Sequence, residues 1–298
     1  MSPRCGGLKS LTPDCDACPT HGMIGFVGYD AWRGISDGSW ENNGISTGLN
    51  YGTRLGEFSE LTGVGFQVGG TVGAFNWSGT DYRLLHRDMA QTQGFLTYGF
   101  FRKPNDDSRW NAAVVQDWMF NNNFGVYAQN PTLSQIRVQL GYALNARDEV
   151  GMWSAWHCLS DSRIVAREGE VTWRPINQLN GYWHRKWTAG GADTVLWIGV
   201  PERHRLGGNG SLGDYLAGAQ AHVPLNDRVG LYSLVTYMHP SARPGPAASR
   251  EDAWNFTIGL TFFPRRNARS TTVAGQCWMP QLPVVNNGLF LVDTNRTY

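Results

Sequence analysis

Residues 135–145 (QIRVQLGYALN) alternate without a break between apolar side chains (Ile136, Val138, Leu140, Tyr142, Leu144) and polar or small ones. A strand turns successive side chains to opposite faces, so this segment has one apolar face and one wet face. The pattern returns in residues 254–263 (WNFTIGLTFF) and 44–52 (GISTGLNYG). Segments of about ten residues that alternate in this way, separated by turn residues, are the signature of a transmembrane β-barrel with its apolar face toward lipid.

Composition narrows the choice. Of 298 residues only 16% are charged and 37 are glycine, whereas ordinary domains carry about 25% charged residues. No stretch approaches the roughly 18 to 20 apolar residues that a membrane helix requires. A chain with these properties spans a bilayer only as a closed barrel, because lipid offers no partner to open-edge backbone groups. A soluble β-sandwich or barrel is the fold alternative. The net charge is +1 with Arg and Lys scattered, which speaks against nucleic acid, since that binding rests on a basic stripe that neutralises phosphates.

Alternation and turn clusters together predict about twelve strands, near 23–33, 43–54, 61–77, 89–102, 110–120, 133–145, 149–159, 176–187, 192–200, 212–224, 228–239 and 253–263. Connections after even strands are short and those after odd strands mostly long. Outer-membrane barrels show this asymmetry, with short periplasmic turns and long external loops. The expected organisation is a leader at 1–22, a barrel at 23–264 and a periplasmic tail at 265–298. The start of the chain is polar and turn-rich and lacks the basic–apolar–small order of a secretory signal. Either a signal has been removed or the numbering begins inside a longer precursor. Tail residues 280–293 hold two prolines, an Asn-Asn-Gly turn and a GLFLVD stretch. The barrel closes before them, so the tail is not read as a spanning strand; one short strand near 289–293 is expected, and the segment is free to enter the barrel mouth, lie under the rim or meet a partner.

Residues 42–79 (NNGISTGLNYGTRLGEFSELTGVGFQVGGTVGAFNWSG) and the tail sequence QCWMPQLPVVNNGLFLVD resemble an uncharacterised family of planctomycete secreted or outer-membrane proteins. The resemblance implies a Gram-negative-type envelope location and brings no activity or functional residues with it.

Five cysteines stand at Cys5, Cys15, Cys18, Cys158 and Cys277. Cys15 and Cys18 form a C-x-x-C that suits a metal, a disulfide clip or free thiols. A zinc site wants a second pair or histidines at matching spacing, and only His21 is near, so neither metal nor cofactor is expected. On the predicted topology Cys5, Cys15, Cys18 and Cys277 share one oxidising compartment and are the disulfide candidates. Residues 44–48 match G-x-S-x-G, yet that motif needs a strand-to-helix elbow and here it sits inside a smooth strand. Residues 208–213 match G-x-G-x-x-G but precede a strand, which reads as a flexible loop.

The inward phase collects Asn50, Arg54, Gln67, Gln93, Asp117, Gln135, Arg137, Gln139, Gln178, Asn180, His184, Lys186, Asp214, Gln220, His222, Asn255 and Thr257. Such a lining either holds water and passes small polar solutes or interlocks into a plugged core. About eight strands leave just enough room for side chains and 16 to 18 leave an open channel, so twelve lies between. The first expectation is a narrow porin-like channel in outer-membrane lipid, with Arg54, Asp117, Arg137, Gln139, His184, Lys186, Asp214 and His222 as lumen determinants. The second is an assembly barrel that holds an envelope protein partner through residues 1–22 and 265–298. The third is a membrane hydrolase using His157 or His184, although no spacing makes a triad.

Overall fold

The structure, a computed structural model, describes residues 20–37, 41–81, 88–104, 108–187, 191–204, 206, 212–240, 252–264, 268 and 278–296. Twelve strands close into one antiparallel barrel: β1 (His21–Arg33), β2 (Asn42–Arg54), β3 (Val64–Asp81), β4 (Asp88–Arg102), β5 (Trp110–Asn122), β6 (Thr132–Ala143), β7 (Asp148–Leu159), β10 (Gln178–Lys186), β11 (Asp193–Pro201), β12 (Tyr215–Pro224), β13 (Val229–His239) and β14 (Ala253–Phe262). Each pairs with its sequence neighbours, and β1 closes on β14 through nine register pairs from Gly25↔Phe262 to Arg33↔Trp254. Closure leaves no edge strand, which satisfies every ladder group of the wall. The fold class expected from alternation is therefore the observed one.

Register sorts the side chains. Gln116, Ile136 and Trp156 lie in one row across β5, β6 and β7, and Leu140 and Phe256 are 43% and 39% exposed. Large apolar residues cover the outside in the same way on every barrel strand, among them Val27, Leu49, Val72, Phe100, Val114, Met152, Leu179, Ile198, Val223 and Val235. No second layer of the described chain covers them. Aromatic residues mark both ends of this belt. At one end the Arg185 guanidinium lies between the Trp183 and Trp187 rings, 5.8 and 4.9 Å from their centroids; at the other the Tyr215 ring stacks on His239 at 5.0 Å. Such amphipathic rings suit a water–lipid boundary.

The two ends differ. Connections 55–63, 103–109, 144–147, 187–192 and 225–228 lie at one end with the start of β1 and the finish of β14. Connections at the other end include 160–177 and 202–214. The short-turn end carries a helix absent from the sequence reading, α1 (Glu57–Thr62), which stops at Gly63 in the left-handed region (φ 71°). The long-loop end carries a small sheet. Residues 160–175, read as a loop, form a hairpin of β8 (Asp161–Val165) and β9 (Gly169–Pro175), and β9 pairs with β15 (Val292–Thr294).

β15 belongs to the tail, and its location overturns the expectation of a tail that stays on the short-turn side. Ala268 N donates to Asp227 O in the β12–β13 turn at 2.6 Å, so the chain leaves β14 at the short-turn end. At 292–294 it is paired with a hairpin of the opposite end. Residues 278–291 therefore run through the lumen.

Candidate functional site in the barrel lumen

Cross-strand register builds the middle of the lumen. Thr97 of β4 is opposite Asp117 of β5, and Asp117 is opposite Gln135 of β6, with Arg137 two residues along. These positions are direct and diagonal neighbours on one face, within reach of long side chains. Asp117 accepts Arg137 Nε at 2.5 Å and Nη2 at 3.0 Å, Thr97 Oγ1 at 2.7 Å and Gln135 Nε2 at 3.1 Å. Both ions are buried, and the carboxylate is fully coordinated. On the far wall Asp30 accepts Asn255 Nδ2 at 2.6 Å and Thr257 Oγ1 at 2.9 Å.

The amides of the lining grip the tail backbone. Gln67 does so three times: its Oε1 accepts Gln281 N and Leu282 N at 2.9 and 3.1 Å, and its Nε2 donates to Leu282 O at 3.0 Å. Asn50 Nδ2 donates to the same carbonyl at 2.9 Å, Arg137 Nη2 to Pro283 O at 2.9 Å, and Thr97 Oγ1 accepts Val285 N at 3.1 Å. Higher up, Asn287 Nδ2 reaches Gln93 Oε1 at 2.8 Å and Gln135 Nε2 reaches Leu289 O at 3.3 Å. A tail without its own secondary structure carries backbone groups that must be satisfied when buried, and the Gln and Asn side chains do this. Glycine makes the room: a Cβ on Gly69 would stand 2.5 Å from Val284 Cγ2.

Above the amides the long-loop end is packed as a core. Trp32, Phe75, Phe95, Phe124, Leu289, Phe290 and Trp173 are buried in one cluster, and Trp32 meets Phe124 and Phe75 at 6.0 Å between centroids. Among the described residues, side chains from the wall, the hairpin and the tail fill this end.

Several expected lumen determinants sit elsewhere. Arg54 is the last residue of β2; its side chain leaves the barrel and pairs with Glu60 of α1 at 3.0 Å. Asp214 precedes β12, is exposed, and faces His239 at 3.7 Å. Alternation puts both on the inward phase, but phase means nothing at or beyond a strand end. His157 is exposed at the long-loop rim, where its N and Nδ1 meet Asn177 Oδ1 at 2.6 and 3.0 Å. Asp117, Arg137, Gln139, His184, Lys186 and His222 lie on inward-phase positions of their strands, with Asp117, Arg137 and His222 buried. Ser154, on the outward phase, is covered by Trp156, whose Nε1 donates to it at 2.9 Å. Cys158 is an exposed free thiol; Cys5, Cys15, Cys18 and Cys277 lie outside the described residues. Inner-face residues that alternation alone does not single out include Asp30, Thr71, Thr97, Glu149, Tyr182, Asp193 and Thr261.

Beside the tail a cavity of about 310 Å³ remains. Its lining runs from Lys103 and Pro104 in a short turn to Leu289 beneath the packed end. Near the short turns stands Asp193, with His184 Nε2 at 3.4 Å and His222 Nδ1 at 3.5 Å. His222 Nε2 is 3.2 Å from Thr261 Oγ1, so hydroxyl, imidazole and carboxylate occur in line. The Thr261 hydroxyl, however, donates to Gly230 O at 3.1 Å. A general base must hold the nucleophile's proton, and here a carbonyl holds it. Among the described residues no group of three His, Cys, Asp or Glu side chains is placed to hold a metal.

A family profile described as a family of unknown function (DUF6666) matches residues 22–292. The chain belongs to that family. The match spans all twelve barrel strands and residues 278–291 of the tail. No curated protein shows significant sequence similarity to it. Among solved structures it is similar to the COG4313 outer membrane channel from Pseudomonas putida F1, with 11% identity, a TM-score of 0.53, and coverage of 85% of this chain and 100% of that one. The NanC porin gives 9% identity and a TM-score of 0.46 over 80% of this chain and 98% of that one. The Salmonella typhi outer membrane phospholipase gives 9% and 0.41 over 80% and 90%. At 11% identity the likeness to the COG4313 channel shows the fold alone, that of an outer-membrane β-barrel.

Proposed function

We propose that this DUF6666 member is an outer-membrane channel for small polar solutes, held closed by its own C-terminal segment. The observation that carries this reading is the tail itself: residues 278–291 occupy the lumen and are clasped by side chains of β2, β3, β4 and β6. A lining of neutral amides binds a peptide backbone reversibly, because each hydrogen bond contributes only about 0.5–1.5 kcal/mol net and water replaces it on release. In this reading the short-turn end is periplasmic, and the tail enters from that side and is an intramolecular ligand.

Conductance across planar bilayers tests the proposal. The full chain is expected to give rare, small openings, and a chain ending at residue 277 steady and larger ones. A truncated barrel that still shows heat-modifiable migration yet leaves the membrane sealed would overturn the channel reading. It would favour instead the assembly barrel, for which the close packing of the long-loop end is the supporting observation.

The membrane placement has its own test. Val138 lies midway along β6 with its side chain outward, and Val200 is at the end of β11. Arginine on the lipid face costs about 2–4 kcal/mol at the midplane and about 0–1 kcal/mol near the interfaces. Val138→Arg is therefore expected to lower stability in lipid by that larger amount while Val200→Arg leaves it nearly unchanged, as read from urea unfolding. Equal and negligible effects at both positions would place water outside the barrel.

A further inference from the structure

We infer that the residual cavity is a binding pocket for one small uncharged organic molecule with an apolar ring and a hydrogen-bonding end. The inference goes beyond the channel reading, since binding does not require conduction. At about 310 Å³ the space falls in the range of ligand pockets and is roughly twice that of an engineered cavity of about 150 Å³ that takes up benzene. Its walls suit a ring. Trp153 and Trp197 meet edge to face at 6.3 Å, and Phe26 and Tyr232 do so at 6.2 Å, all four lining the space.

The polar groups decide the charge of the occupant. Each ionised side chain of the lining stands against another group of the protein. Arg137 is bound to Asp117 and to Pro283 O. Glu149 accepts the Tyr182 hydroxyl at 2.5 Å, Asp193 stands between two histidines, and the Lys103 ammonium lies 5.9 Å from the Phe101 centroid. A charged occupant would lose its hydration and find no free counter-ion, which is costly. Of the buried lining atoms without a hydrogen bond, Asp193 Oδ2, His184 Nε2 and His222 Nδ1 belong to one cluster whose members face one another at 3.4–3.5 Å, which leaves Asn50 Oδ1 and Thr71 Oγ1 as the neutral groups open to an occupant. A buried acceptor and a hydroxyl left open in this way select an occupant that offers an amide or hydroxyl. The cavity reaches the short turns, where Lys103 and Pro104 line it, and among the described residues buried side chains of the wall and tail pack the other end.

Three molecules with one ring and different charges serve as probes: benzamide, benzoate and benzylammonium. Saturation-transfer NMR on the full chain in detergent is expected to show saturable benzamide binding and at least about tenfold weaker binding of both ions, a factor of ten being one step on the affinity scale. Val195→Trp, which fills the cavity, is expected to abolish the benzamide signal. Met152→Trp, on the outer face, should leave it intact and controls for uptake by the micelle. Heat-modifiable migration shows that each variant barrel is folded. Equal binding of all three probes, no saturable benzamide binding, or binding that survives Val195→Trp in a folded barrel would overturn the inference. The readout is equilibrium binding, so a chain that binds benzamide but never conducts retains the pocket and loses only the channel.

Discussion

Arg137→Met is expected to destabilise the folded barrel by about 3–5 kcal/mol, the cost of removing one partner from a buried ion pair. Asp117 is 0% exposed and Arg137 3% exposed, so the orphaned carboxylate has no access to water. It would keep Thr97 and Gln135, two neutral donors, in place of a guanidinium that now supplies two of its four hydrogen bonds. The double variant Asp117→Asn/Arg137→Met removes both charges and should recover most of the loss, since the uncompensated charge and not the missing contact dominates. Urea unfolding of the detergent-solubilised barrel, run as a double-mutant cycle, measures this. A single variant as stable as the parent would mean that water reaches Asp117. Because Arg137 also donates to Pro283 O, the single variant is expected to loosen the tail as well.

Gly69→Leu is expected to open the barrel without unfolding it. The inner face of β3 carries Gln67, Gly69 and Thr71, and a side chain at Gly69 points at Val284, with Leu49 O and Asn50 Oδ1 2.7 and 2.8 Å from its Cβ. The contact with Leu49 O requires a local shift of the β2–β3 ladder, but that ladder is held along its whole length whereas the tail is held by separate side-chain bonds, so the tail is what undocks. Overpacking costs about 1–3 kcal/mol, which multiplies the undocked population roughly 5- to 150-fold. Opening frequency in bilayers should rise accordingly. Gly70→Leu is the control, since that residue faces outward and an added Cβ meets only Phe95 O at 3.4 Å. Equal behaviour of the two variants would show that the tail does not bear on β3 in the membrane.

How much of this was legible in the sequence follows from the range over which each property is decided. Alternation is a property of neighbouring residues, with a period of two that survives any rearrangement of loops. It therefore located twelve strands and their inward faces, and loop lengths gave the parity of the two ends. Phase failed where strands stop: Arg54 and Asp214 keep the inward position but lie at or past a strand end, where solvent and not the lumen surrounds them. The β8–β9 hairpin was missed because SDSRIVAREGEVTW is charged and its alternation weak; it is held by pairing with β15, a partner more than a hundred residues away.

The amide-rich lumen was visible as a set, and its purpose was not. Period-two patterning, scarce charge and abundant glycine by themselves determined a closed antiparallel barrel with an apolar exterior, because a chain of that pattern has no other way to satisfy its backbone in lipid. Only the tertiary structure decided that the lumen is filled by the chain's own tail. Gln67 and Leu282 are 215 positions apart, and Asn50 and Leu282 are 232 apart. Whether such groups meet depends on the width of the closed barrel and the space left over Gly69, quantities that exist only after the wall has formed.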